Sequence, residues 1–401
     1  MLKIISCAGY GNTGSSIVTD FFSEFSSIKV VDGSSFEFSL LHENDGIKDL
    51  EYAVIEGHRL KTDLAIKRFI KLINVLNDNN PSGPNYKEYF NGHFKEYTID
   101  YLKSLNIITW NRGWWHRIFE ISNDKKIKNL INAKKFQKIM KKKQYNLYET
   151  NSWQPSYTGF NQQYYCHISM EEFTNKTKIY LNRLFSEMAK DGDFLLFDQL
   201  FPSNVNQEYL KYFDFAKVII VDRDPRDLYF MNKVFWGSGY IPSENVNTYI
   251  KWFKETRENT YQNENILKIS FEDMIFNTID TQKKLCNFID IDIKKHDKPR
   301  TLLFIEKSIT NTQVYERINV YDKKYLEILK SDMKLICEEL HEYLYPFPKL
   351  NIKDSINKEQ KIIIEKVYKE AECRNIIDYL IIFEIVLQKI FKRIKGFFKK
   401  R

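Results

Sequence analysis

Two short segments of this chain carry residue types whose spacing suits chemistry on a phosphate-bearing ligand. The first is Gly9-Tyr-Gly-Asn-Thr-Gly14-Ser15-Ser16, directly after the apolar run Leu2 to Ala8. A glycine-rich turn between a strand and a helix turns backbone N–H groups outward, and the helix N-terminus adds partial positive charge. Together they can cradle an anion. Gly11, Asn12, Thr13, Gly14, Ser15 and Ser16 are therefore the phosphate-binding candidates, with an ordinary strand–helix turn as the alternative.

The second segment is Lys217-Val-Ile-Ile-Val-Asp-Arg223-Asp-Pro-Arg-Asp227. An apolar strand ends at Arg223, and a helix then begins with sound capping logic. Asp224 can cap it, Pro225 suits the first helical position, and Asp227 lies in the first turn near the positive end of the dipole. Arg223 is thus expected at the carboxyl edge of a parallel strand, where sheets of this kind place their ligands. There a guanidinium can grip a phosphate with two parallel bonds. The alternative is a structural arginine paired with Asp222 or Asp224.

A sheet must bring these segments together. Leu2–Ala8, Phe194–Phe197, Lys217–Asp222 and Ile266–Phe271 read as strands separated by helical stretches, the pattern of a parallel sheet with right-handed crossovers. The expected class is α/β, three layers with a central parallel sheet, in one domain over residues 1–350. An insertion over about 40–190 is expected to be mainly helical, with helices at Asp63–Leu76, Lys125–Lys141 and Met170–Ala189. Residues 355–401 read as a helical tail.

Charge narrows the choice of partner. The 401 residues hold 61 Lys and Arg against 53 acids, a formal net charge of +8. Seven of those cations lie in Lys389–Arg401, so the rest of the chain is nearly balanced, with 54 cations against 53 acids. A surface that coats nucleic acid is not expected from such a body. In the tail, Leu380, Phe383, Leu387, Ile390, Ile394 and Phe397 form one helical stripe, with Lys392, Lys395 and Lys399 on another face. Such a helix can lie on an anionic membrane surface or dock on its own domain. Five scattered cysteines form no CxxC or Cys/His pair, which argues for a reducing compartment, against a disulfide framework and against zinc. With an N-terminal apolar stretch too short for a signal-peptide core, a cytoplasmic location follows as the expectation, peripheral to the membrane if the tail binds one.

The motifs, taken together, resemble the sulfotransferases that use 3′-phosphoadenylyl sulfate (PAPS). The glycine/serine/threonine loop near the N-terminus, Arg-Asp-Pro-Arg-Asp after an apolar strand, and the later strand Ile266-Leu-Lys-Ile-Ser-Phe-Glu272-Asp273 stand in that family's order and spacing. The resemblance covers Leu2–Phe25 and roughly Phe194–Asp292 and implies a P-loop NTPase-like sheet. It also implies that Gly11 to Ser16 hold the 5′-phosphosulfate, that Arg223 holds the 3′-phosphate, and that a hydroxyl acceptor, by family habit a glycan or glycolipid precursor, receives the sulfuryl group without a metal. Two positions depart from the family. Asn12 stands where a Lys or Arg usually stabilises the leaving phosphate. Met231, followed by Asn232, stands where a Ser usually helps to bind the 3′-phosphate.

Sulfuryl transfer also needs a base for the acceptor proton. Asp198, at the end of Phe194-Leu-Leu-Phe-Asp198, is the candidate, with a turn cap as its alternative. A rival reading makes Asp198 a Mg²⁺-holding carboxylate of a P-loop kinase, but Ser15 stands where such a loop carries its lysine. A sulfotransferase fold without catalysis is the third reading. His58, between Gly57 and Arg59, and more weakly His42 and His167, are secondary acid–base candidates. Trp110, Trp114, Trp115 and His116 could stack on a sugar or simply pack in a core. Lys307–Thr312 is where the family closes a loop over the nucleotide.

Overall fold

In a computed structural model, the structure describes residues 2–31, 36–80, 83, 85–111, 162–189, 194–237, 239–258, 263–317 and 323–348, with scattered positions between 131 and 142. Its strands are β1 Lys3–Gly9, β2 Ile28–Val31, β3 Ile108–Asn111, β4 Gln162–Tyr165, β5 Phe194–Asp198, β6 Ala216–Asp222 and β7 Ile266–Ser270. Five of them form one parallel sheet in the order β2-β5-β1-β6-β7. The fold is α/β, with this sheet between two layers of helices.

Alternation along the central strands decides the layers. Ile5, Leu196, Ile219 and Val221 point to one face, where they meet Val18, Phe21 and Phe22 of α1 (Ser16–Ser23). Ile4, Leu195, Phe197, Val218 and Ile220 point to the other, against Ile66 and Phe69 of the inserted segment. Strands apolar on both faces must be covered on both, so they read as unbroken hydrophobic runs. Register places Cys7 opposite Asp198 on one side and Ile219 on the other, with Gly9 opposite Val221. The carboxyl ends of β1, β5 and β6 are thereby level, and the two motifs meet there.

The inserted segment shares a core with the sheet. Its helices α2 (Ile47–Glu56), α3 (Arg59–Asp78), α4 (Phe94–Ser104) and α5 (Met170–Phe185) bury Phe69, Phe94, Tyr101 and Phe185, and the Phe38 and Phe185 rings pack against Phe197 of β5. The expected helices at Asp63–Leu76 and Met170–Ala189 correspond to α3 and α5. A third cluster joins α6 (Pro225–Met231) and α7 (Val246–Glu258) to the later helix Lys323–Glu339 through Leu228, Tyr249, Phe253 and Ile336.

Three features differ from the expectation. β2 is an edge strand of four residues that the periodicity missed, because only its two end residues, Ile28 and Val31, are buried. The insertion is not wholly helical: β3 and β4 pair antiparallel, with Trp110 opposite Gln163. The amphipathic pattern from about Ser15 to Phe25 predicts a longer helix than α1, which ends at Ser23. The Lys125–Lys141 patch lies largely outside the described residues, and Trp114, Trp115, His116 and the tail 355–401 lie wholly outside them. Among the described residues no helix is long and apolar enough to cross a membrane.

Candidate anion-binding site

The loop after β1 is shaped by backbone that only glycine adopts easily. Gly11 and Gly14 have φ of 87° and 86°, with Asn12 at 52° between them. A β-carbon on Gly14 would stand 2.6 Å from the Phe271 ring, so both conformation and space require glycine there. Thr13, buried, fastens the loop to the sheet: its hydroxyl donates to the Val221 carbonyl at 2.7 Å and accepts the Tyr10 amide at 3.2 Å. That hydroxyl has one proton and β6 takes it. Thr13 therefore faces a ligand through its backbone, not its side chain.

Ser15 precedes α1 without capping it. Its hydroxyl lies 3.4 Å from Asp198 Oδ1 and accepts from Gln199 Nε2 at 3.2 Å. A side chain drawn toward β5 leaves the start of α1 open. Among the described residues, the amides of Gly14, Ser15 and Ser16 have no protein acceptor, while the next turn closes through Ile17 N–H to Gly14 and Val18 N–H to Ser15. Three amide donors stand together at the start of α1.

Arg223 stands beside the loop, at the end of β6, and is 5% exposed. Its Nη1 donates to the Asn12 carbonyl at 3.4 Å and its Nη2 donates to the Asn311 carbonyl. Its Nε is buried with no partner. Trp236 and Phe271 flank the guanidinium, with ring centroids 5.5 and 5.1 Å away. Neither neighbouring aspartate pairs with it. Asp222 is held by Arg257 at 2.7 Å and by Lys268 at 3.1 Å, and Asp224 is gripped by Arg226 through Nε and Nη2. The Arg223 guanidinium is therefore not paired with Asp222 or Asp224. The capping expectation holds, since Asp224 accepts the Arg226 amide and Pro225 opens α6.

Two further carboxyls are close enough to Arg223 for its charge to act on them. Burial raises Asp227 to about 6, outweighing the opposing charge of Arg223. Burial likewise raises Glu272 to about 8. Asp227 accepts the amides of Gln313 and Val314 at 2.7 and 2.6 Å, which draws the Lys307–Thr312 segment over Arg223 and brings the Asn311 carbonyl to it. Glu272 accepts the Asp224 amide at 3.0 Å and so fixes the turn from the strand into α6.

The remaining candidates separate. Asp198 is at the loop, as described. Asn12 is there too, its Oδ1 accepting from the Tyr240 hydroxyl at 3.0 Å. Asn232 is buried at the end of α6 and donates to the Ile241 carbonyl and the Ser243 hydroxyl, at 3.1 and 2.7 Å. In this arrangement its amide protons hold the turn that carries Tyr240. Met231 packs on the third hydrophobic cluster. His58 caps α3 by accepting the Lys61 amide at 3.4 Å, and His167 packs against Gly57.

Three residues near the loop have no sequence motif. Gln199, at φ 56°, donates its amide to the Cys7 carbonyl and its side chain to Ser15. The His42 Nε2 lies 3.0 Å from the Gln199 carbonyl, which can only accept, so that nitrogen carries the proton. Burial holds His42 below the ordinary histidine value. Desolvation, then the charge of Asp198, raise the Glu37 carboxyl. The signal for all three is tertiary, because it depends on the crossover that sets β5 beside β1. Among the described residues no cluster of His, Cys, Asp and Glu is arranged to hold a metal.

No family model matches the sequence, and no curated protein does. Among solved structures, the chain is similar to the sulfotransferase STF9 from Mycobacterium avium, at a TM-score of 0.31 and 13% identity over 84% of this chain and 76% of that one. At that distance the likeness carries no argument about activity.

Proposed function

We propose that this chain is a sulfotransferase that binds PAPS between the Gly11–Ser16 loop and Arg223, and transfers its sulfuryl group to a hydroxyl acceptor. One observation carries the reading: Arg223 is buried, charged and without a carboxylate partner among the described residues. A buried charge is costly unless a counter-charge meets it. Here the guanidinium holds the carbonyl of Asn12, two residues before the open amides of Gly14 to Ser16, so one bis-anionic ligand can engage both.

The residues present fit such a ligand in two respects. The loop supplies backbone donors that need no side-chain charge, and Arg223 has an Nε without an acceptor plus two carbonyl contacts that an anion would replace. When bound, PAPS supplies an activated sulfuryl group. The chain's own part is to orient that group through the loop amides, to steady the leaving phosphate with neutral donors at Asn12, and to take the acceptor proton at Asp198. A glycan or glycolipid acceptor is supported by the half-exposed Trp236 and the exposed Tyr240 beside the loop, whose ring faces suit a pyranose.

Calorimetry with adenosine 3′,5′-bisphosphate and with ATP/Mg²⁺ tests the reading. Binding of the first, lost in Arg223→Ala, is the expected result; a preference for ATP/Mg²⁺ would replace it with a P-loop kinase. Transfer of labelled sulfate from PAPS to cell-envelope glycans then separates an enzyme from a fold that only binds.

A further inference from the structure

Behind Arg223, away from the loop, lies a cavity of about 220 Å³. Its wall includes Arg223 and Glu272, and each contributes a buried polar atom with no partner, Nε of the arginine and Oε2 of the glutamate. Both side chains are more than nine-tenths buried. They are not an ion pair, but each is close enough for Arg223 to act on the Glu272 carboxyl. The other Glu272 oxygen already holds the Asp224 amide. The cavity has room for water, and water can bridge two unmet polar groups.

We infer that Glu272 is a positioning residue of the anion site, fixing the Asp224 turn directly and the Arg223 guanidinium through solvent in this cavity. The inference rests on the proposed role of Arg223. While Glu272 keeps its proton, the positive charge of Arg223 is left to a ligand. Once Glu272 ionises, it competes for the guanidinium and draws it toward the cavity.

The surroundings leave Glu272 as the group that changes there. Asp222 is matched by Arg257 and Lys268, and Asp224 by Arg226. Asp227, on α6, is raised only to about 6 and so loses its proton before Glu272 does. Glu342 lines the far wall, and Tyr345, which hydrogen-bonds Asp273, is raised by burial beyond that range.

The experiment is binding of adenosine 3′,5′-bisphosphate from pH 6.5 to 9.5, by calorimetry in two buffers of different ionisation enthalpy. Ligand phosphates are already fully ionised at the upper end, their second pKa being about 6. Wild type should weaken about tenfold as pH rises through the Glu272 transition, and should take up protons on binding, since coupling is reciprocal. Glu272→Gln keeps an oxygen for the Asp224 amide and should bind with a flat profile and no uptake. A flat wild-type profile, or the same fall in the variant, overturns the inference alone. Absence of wild-type binding at every pH overturns the Arg223 reading and this inference with it. Should the variant not fold, proton uptake by the wild type still decides the matter.

Discussion

Arg223 Nη1 donates to the backbone carbonyl of Asn12 at 3.4 Å, joining positions 211 apart in the chain. The contact puts Arg223, at the end of β6, against Asn12 of the glycine loop. It follows from β1 and β6 being hydrogen-bonded neighbours whose carboxyl ends are level.

Charge alone should not satisfy the site. Arg223→Lys keeps a cation but loses the planar fork, and charge-assisted bonds contribute about 1.5–3 kcal/mol each. Affinity for adenosine 3′,5′-bisphosphate is expected to fall about tenfold or more, with the melting temperature little changed. Wild-type affinity in this variant would mean that Arg223 does not hold the ligand.

The loop should depend on Thr13 as a fastener. Thr13→Val removes the bonds to the buried Val221 carbonyl and the Tyr10 amide, at a cost of about 1–3 kcal/mol, whereas Thr13→Ser retains both. Urea denaturation of the two variants measures this. Equal stability would show that the loop does not need the bond to β6.

Gly14→Ala should be worse for binding than for folding. A left-handed φ costs an L-residue about 1–2 kcal/mol, and the new methyl must displace the Phe271 ring, which also flanks Arg223. Moderate loss of thermal stability with loss of measurable bisphosphate binding is the expected pair of outcomes.

Glu272 should also shape stability against pH. Its folded value, about 8, lies above the ordinary 4.5, so between them the native state holds a proton that the unfolded chain has released. Wild-type stability from this group is present below about 4.5 and lost as pH rises toward 8, by about 1.4 kcal/mol per pH unit at most. Glu272→Gln lacks this loss. Its melting temperature relative to wild type should rise from pH 5 to pH 8.5, and a constant difference would refute the assignment.

The basic tail gives a prediction from sequence alone. Each Lys or Arg near an anionic leaflet contributes about 1 kcal/mol, so co-sedimentation with phosphatidylserine vesicles should be clear at low salt, weaker at high salt and absent after deletion of 376–401. Salt-independent or tail-independent sedimentation would refute membrane contact through this segment.

The sequence by itself determined the α/β class, because strands that are apolar at consecutive positions can only be buried on both faces of a parallel sheet. It also determined the cap at Asp224, the place of Arg223 at a strand end and the glycine loop, since each follows from local backbone chemistry. It did not reveal β2, whose two buried residues give no period, nor the β3–β4 ribbon in a segment whose other stretches are helical.

Tertiary structure decided what the polar atoms do. Whether Arg223 pairs with Asp222 depended on Arg257 arriving from α7, and whether Thr13 could face a ligand depended on the Val221 carbonyl of a neighbouring strand. Gln199, His42 and Tyr240 reach the loop only because the crossovers bring distant segments to one sheet edge. Local sequence sets which groups a residue can offer. Long-range packing sets which of them are already taken, and the remainder, here the open amides of the loop and the unpaired charge of Arg223, is what a ligand can use.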